Sequence, residues 1–157
     1  MTDVVAPIGI YVSGASSDVD RAVRAMHRVR SKGALVVGDW TPAVLTFGSE
    51  GTQLSAAQRA ARATEMLEHV AHSHALVFLD PTPPLTTKYA WLEAGVAWGR
   101  GLPIVVSTPG PHLPFGLSFA HHELTDEAAV DRALQLAEQL CARRRRMGLL
   151  RADGGGR

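Results

Sequence analysis

With one cysteine, Cys141, in 157 residues, the chain has no internal disulfide, and a reducing, cytoplasmic setting is expected. No apolar run approaches the ~18 residues that cross a bilayer, and the amino terminus lacks a basic stretch leading into a long apolar core. Neither a membrane span nor a secretory leader is therefore expected. The formal net charge is +1, which removes the global electrostatic argument for nucleic acid as a partner. Lysine is scarce and arginine plentiful, a compositional bias without a functional message. The basic run 143–146 suits the carboxyl end of a helix and has no aromatic platform beside it. His69, His72 and His74 cluster, but no Cys or carboxylate joins them at ligand spacing. His121 and His122 would point to opposite faces of a strand, so no metal is expected. No Gly-x-Ser-x-Gly elbow or Ser-His-Asp order is visible.

What is present is enough apolar material, 46% of the residues, to build a core. One domain over residues 1–147 is the natural reading, with the glycine-rich tail 148–157 expected to be disordered. Residues 8–13 form a short apolar run that ends in Gly14-Ala15-Ser16-Ser17, a buried strand running into a small-residue loop. Asp18 can cap a helix over 19–32, in which Val19, Ala22, Val23, Met26 and Val29 recur at helical spacing. Gly33 ends it, and 34–38 is a second buried strand. A long loop follows at 39–54, marked by Pro42, Gly48 and Gly51. Ser55 caps a helix over 56–71, and 75–79 is a third strand. After a proline-rich connection from Asp80, Thr86 or Thr87 caps a helix carrying Glu93. Strand four is 103–107, a short fifth strand is expected at 117–121, and Thr125 caps a last helix over 126–143.

The strands are apolar throughout and alternate with helices. That pattern predicts an α/β flavodoxin-like or Rossmann-like sandwich, with a parallel sheet of about five strands covered on both faces. In such a sheet ligands bind beyond the carboxyl ends of the strands, where strand order reverses. The loops that reach this crevice supply Ser13, Gly14, Ser16, Ser17, Asp39, Trp40, Asp80 and Thr87. The serine loop can hold a phosphate at a helix amino terminus, but it lacks the later glycines of a dinucleotide fingerprint, so no cofactor is expected. Trp40 can stack on a base, and Asp39 can hold a hydroxyl or amine.

Residues 86–107, TTKYAWLEAGVAWGRGLPIVVS, place one acid, Glu93, among small and apolar residues. A carboxylate there costs free energy unless something pairs with it or uses it. Trp91 and Trp98 share a helix stripe with Gly95, about 200° around from Glu93, which reads as packing or a subunit interface and predicts a homo-oligomer.

Ile10-Tyr11-Val12-Ser13-Gly14 resembles the first strand of the nucleoside 2-deoxyribosyltransferase-like superfamily, which includes nucleotide N-glycosidases. Leu92-Glu93-Ala94-Gly95-Val96-Ala97 followed by Gly101-Leu102-Pro103-Ile104-Val105 resembles that family's Glu-x-Gly-x-Ala segment and the Gly-x-Pro strand after it. The resemblance spans about residues 8–107. It implies that Glu93 is a nucleophile toward the anomeric carbon of a nucleoside or nucleotide, and that Tyr11 hydrogen-bonds it. Met66 and His74 stand where the family commonly carries Asp, and Tyr89-Ala90 replaces its Gly-Thr/Ser. Two alternatives remain open on the residues. One is a binding domain for nucleotides or nucleoside derivatives without catalysis. The other is an NAD glycohydrolase of the Toll/interleukin-receptor type, on the loose parallel of Trp91-x-Glu93.

Overall fold

In the computed structural model, residues 6–48, 53–81, 89–108 and 119–148 are described. Within them the chain forms five strands, five helices and a single 3₁₀ turn at Ser16–Asp18. The strands are β1 (Gly9–Ser13), β2 (Leu35–Val36), β3 (Ala75–Leu79), β4 (Ile104–Ser107) and β5 (His121–Glu123). The helices are α1 (Val19–Ser31), α2 (Thr41–Phe47), α3 (Ala56–His72), α4 (Tyr89–Gly99) and α5 (Asp126–Arg146). All strand pairs are parallel, in the order β2-β1-β3-β4-β5. This is the expected flavodoxin-like sandwich, and its switch point lies between β1 and β3.

Side-chain alternation divides the core into two halves. Ile10 and Val12 of β1, Val77 of β3 and Val105 of β4 pack with α1 and α5. Tyr11, Leu76, Phe78, Ile104 and Val106 face the other way, toward α3 and α4. Every residue of β1, β3 and β4 is buried, which is why these segments read as unbroken apolar runs.

The edges depart from the sequence reading. The expected second buried strand, 34–38, pairs only at Leu35 and Val36, and Leu35 is exposed. Gly38, at φ +66°, turns the chain out of the sheet, and a Cβ there would run into His69. The fifth strand lies at His121–Glu123 instead of 117–121, of which residues 117 and 118 fall outside the described part. An edge strand needs no apolar signature, so His-His-Glu did not read as one. The long loop expected at 39–54 contains α2: Thr41-Pro42 opens it, and proline is tolerated in a first turn. In α1, Val23 is exposed and Arg21 takes an inward position.

The helix after Ser55 starts as expected, closed by a capping box with Gln58. Thr125 likewise caps α5, which runs three residues beyond the expected end at Arg143. Thr86 and Thr87 lie outside the described residues, as do 149–157 of the expected disordered tail. No helix among the described residues is long and apolar enough to cross a membrane.

Candidate active site

The inward face of α4 is made of Ala90, Glu93, Ala94 and Ala97, the i, i+3, i+4, i+7 stripe of a helix packed on a sheet. Three alanines let the helix lie close over β3 and β4. The fourth position then drives a carboxylate into the core. Glu93 is only 3% exposed. The Tyr11 hydroxyl donates to its Oε1 at 2.8 Å, and the Ser13 hydroxyl donates to its Oε2. Tyr11 and Ser13 are two apart on β1, so both point to the α4 side, and both are fully buried. Each carboxylate oxygen thus has its own donor, supplied by the strand at the topological switch point.

Burial pushes the Glu93 carboxyl above its ordinary range, and the hydrogen bonds from Ser13 and Tyr11 pull against that shift. Burial also raises the Tyr11 phenol, reinforced by the negative charge of Glu93 and by their hydrogen bond, so Tyr11 remains a donor at any working pH. Hydrogen bonds to a charged group are worth about 1.5–3 kcal/mol each, less than the cost of a fully desolvated carboxylate. Ionising this acid therefore costs stability, and carboxyls perturbed by burial cluster at functional sites.

The other expected ligands divide between this site and its surroundings. Ser13 belongs to the carboxylate cluster, so its hydroxyl serves Glu93 instead of a phosphate. Gly14 packs against Leu79, where a Cβ would sit 3.4 Å from the Leu79 Cβ. Ser16 and exposed Ser17 form the 3₁₀ turn leading into α1. Asp39 is committed elsewhere: its Oδ1 accepts from the Thr41 amide and hydroxyl, and its Oδ2 pairs with Arg30 at 2.5 Å. The Trp40 indole donates to the Val12 carbonyl at 2.8 Å and packs against both halves of the core. Asp80 follows β3 directly and accepts at its backbone carbonyl from Arg21 at 2.6 Å. Thr87 lies outside the described residues. In the Trp stripe, read as packing or an interface, Trp91 packs against buried Phe78 (centroids 5.0 Å apart) and Trp98 is 63% exposed beside Phe119.

Two features escaped the sequence reading. On the opposite face of the sheet, buried Arg21 grips Asp126 through Nε and Nη2 at 2.8 Å, and the Ser107 hydroxyl donates to the same carboxylate at 2.5 Å. Burial raises the Asp126 carboxyl, but the bonds from Arg21 and Ser107 outweigh it and leave it below its ordinary range. This cluster ties α1, α5 and the carboxyl ends of β3 and β4 together. An arginine between apolar helix positions is an ordinary surface pattern, so nothing in α1 announced it. The second feature is Thr108, buried one residue past β4.

His69, His72 and His74 go separate ways: His72 bonds the Glu68 carbonyl, and His74 accepts from the Gly9 amide at the amino end of the sheet. Among the described residues, no group of three or more potential metal ligands is assembled.

The fold and the site define a doubly wound α/β protein with a buried Glu-Tyr-Ser cluster at its topological switch point. No protein-family model matches the chain, and no curated protein does either.

Proposed function

We propose that the protein cleaves or transfers at the N-glycosidic bond of a nucleoside or nucleotide, with Glu93 as nucleophile and Tyr11 as its orienting partner. The observation that carries this reading is the Glu93 carboxylate itself. It is buried on the small-residue face of α4 and held by Tyr11 and Ser13 where an α/β sheet binds ligands. Rupture of a C–N glycosidic bond builds positive charge on the anomeric carbon, and a desolvated carboxylate stabilises or traps it. A Glu93 oxygen attacks that carbon, and the C–N bonding pair leaves with the base. Water, or a second base, then releases the sugar from the carboxylate. The hydroxyls of Tyr11 and Ser13 fix which oxygen lone pairs point at the sugar. Ser16 and Ser17, at the head of α1, suit a 5′-phosphate.

A second reading, a binding domain that does not turn its ligand over, draws support from the tight engagement of both Glu93 oxygens. A third, cleavage of NAD, draws support from Trp91 at the start of the Glu93 helix. We further propose that the chain works as a homo-oligomer through the exposed face of α4, in the cytoplasm, where free Cys141 stays reduced.

The test is incubation with nucleosides, their 5′-monophosphates and NAD, with chromatography for free base. Base from a nucleoside or its monophosphate supports the first reading, and a preference for the monophosphate supports the serine loop. Nicotinamide alone moves the assignment to the third. Saturable binding without release moves it to the second.

A further inference from the structure

Thr108 stands one residue beyond β4, its amide still bonded to the Glu123 carbonyl of β5, so it continues the strand register. Val106 belongs to the α3/α4 face, and Ser107 bonds Asp126 on the other. Alternation returns Thr108 to the face that carries Tyr11, Ser13 and Glu93. It is 9% exposed, and its hydroxyl is the buried side-chain polar atom that lacks a hydrogen-bond partner among the described residues. A buried, unpaired hydroxyl is disfavoured, and folded proteins rarely keep one without a use.

Its position suggests the use. Ser13 pairs with Phe78, and Phe78 with Val106, so Thr108 lies two strands across and two residues along from Ser13. With strands ~4.8 Å apart and ~3.3 Å of rise per residue, that diagonal is about 12 Å. Phe78 lies between them, buried, with the part-exposed Trp91 against its ring. An acid at one end, an accessible aromatic in the middle and a lone hydroxyl at the far end match a nucleoside laid across the carboxyl ends of β1, β3 and β4. Its anomeric carbon would meet Glu93, and its flat base would extend along Trp91.

Resting on the glycosidase reading above, we infer that Thr108 binds the polar edge of the substrate's base. A single hydroxyl both donates and accepts, so it suits a ring nitrogen, a keto oxygen or an exocyclic amine. A hydrogen bond there also favours departure of the base as charge moves onto its ring.

The test is Thr108→Val, which keeps the shape and removes the hydroxyl. Calorimetric titration uses AMP, GMP, CMP, UMP and their 2′-deoxy forms, in a Glu93→Gln background that arrests turnover. Ribose 5-phosphate and 2-deoxyribose 5-phosphate serve as base-free probes. The preferred nucleotide should bind about 10-fold more weakly to the Val variant, while the sugar phosphates are unaffected and Thr108→Ser restores binding. With Glu93 intact, Thr108→Val should leave Tm unchanged or raise it by about 2–4 °C, because an unsatisfied polar group is gone. Unchanged nucleotide affinity overturns the Thr108 assignment alone. An equal loss for the sugar phosphates overturns the base as its target. A lower Tm means that the hydroxyl is paired within the fold, which also overturns it. Failure of every nucleotide, and of the parent nucleosides titrated alongside them, to bind overturns the glycosidase reading and this inference together.

Discussion

Glu93→Gln should make the protein more stable and less active. Glutamine has the shape of glutamate and can still meet the Tyr11 and Ser13 hydroxyls, which rotate to suit an amide. What it lacks is the charge, and that charge sits in a site 3% exposed, where burial has already pushed the carboxyl upward. A carboxyl raised above its ordinary 4.5 contributes stability that is full below that pH and lost as pH rises through the folded value. The variant should therefore gain about 0.5–2 kcal/mol at neutral pH, or roughly 2–6 °C in Tm for a domain of this size. The gain should vanish below about pH 4, where wild type is also neutral. Base release should fall about 10³-fold or more, roughly 4 kcal/mol of barrier, because the attacking group is gone. Scanning calorimetry at pH 4 and pH 7, with chromatographic assay of base release at pH 7, measures both arms. A variant destabilised at pH 7 would refute the view that this carboxylate is held against its solvation preference. A stable variant that still releases base would refute its role as nucleophile.

Tyr11→Phe should lower turnover by about 10–100-fold, less than Glu93→Gln, since it loosens orientation and keeps the reacting group; steady-state kinetics read the difference. The acid limb of the kcat profile should lie above the ordinary carboxylate range, because Glu93 must be ionised to attack and its burial favours the neutral form; a limb below pH 4 would contradict this. Arg21→Ala leaves Asp126 without its main partner and should cost about 2–4 kcal/mol in urea denaturation, while an unchanged midpoint would show that the cluster carries little stability. Light scattering at tens of micromolar should find a dimer or larger species, and a single charge at Trp98 should shift it toward monomer; a strict monomer would remove the interface.

The sequence by itself determined the class of fold. Buried parallel strands are apolar on both faces, so β1, β3 and β4 appear as unbroken runs, and caps such as Ser55 and Thr125 are local chemistry. It also singled out Glu93, since one acid among alanines, glycines and tryptophans is conspicuous along the chain. The edges of the sheet were only partly legible. The apolar run 34–38 announced β2, but not that it pairs over two residues with Leu35 exposed. The other edge, β5, is His-His-Glu, carries no apolar pattern and exists because β4 offers hydrogen bonds. The family resemblance already implied Tyr11 as a partner of Glu93, and only the tertiary structure added Ser13. Ser13 reads as a phosphate ligand in a serine-rich loop, yet β1 and α4 bring it to the carboxylate across 80 residues of chain. Arg21 and Asp126 meet across 105 residues, through helices whose facing follows from how the sheet is wound. Thr108 looks like any threonine before a loop until the register of β4 assigns it a face. Local interactions are encoded within a few residues, whereas a site at a switch point joins segments that only sheet order makes neighbours.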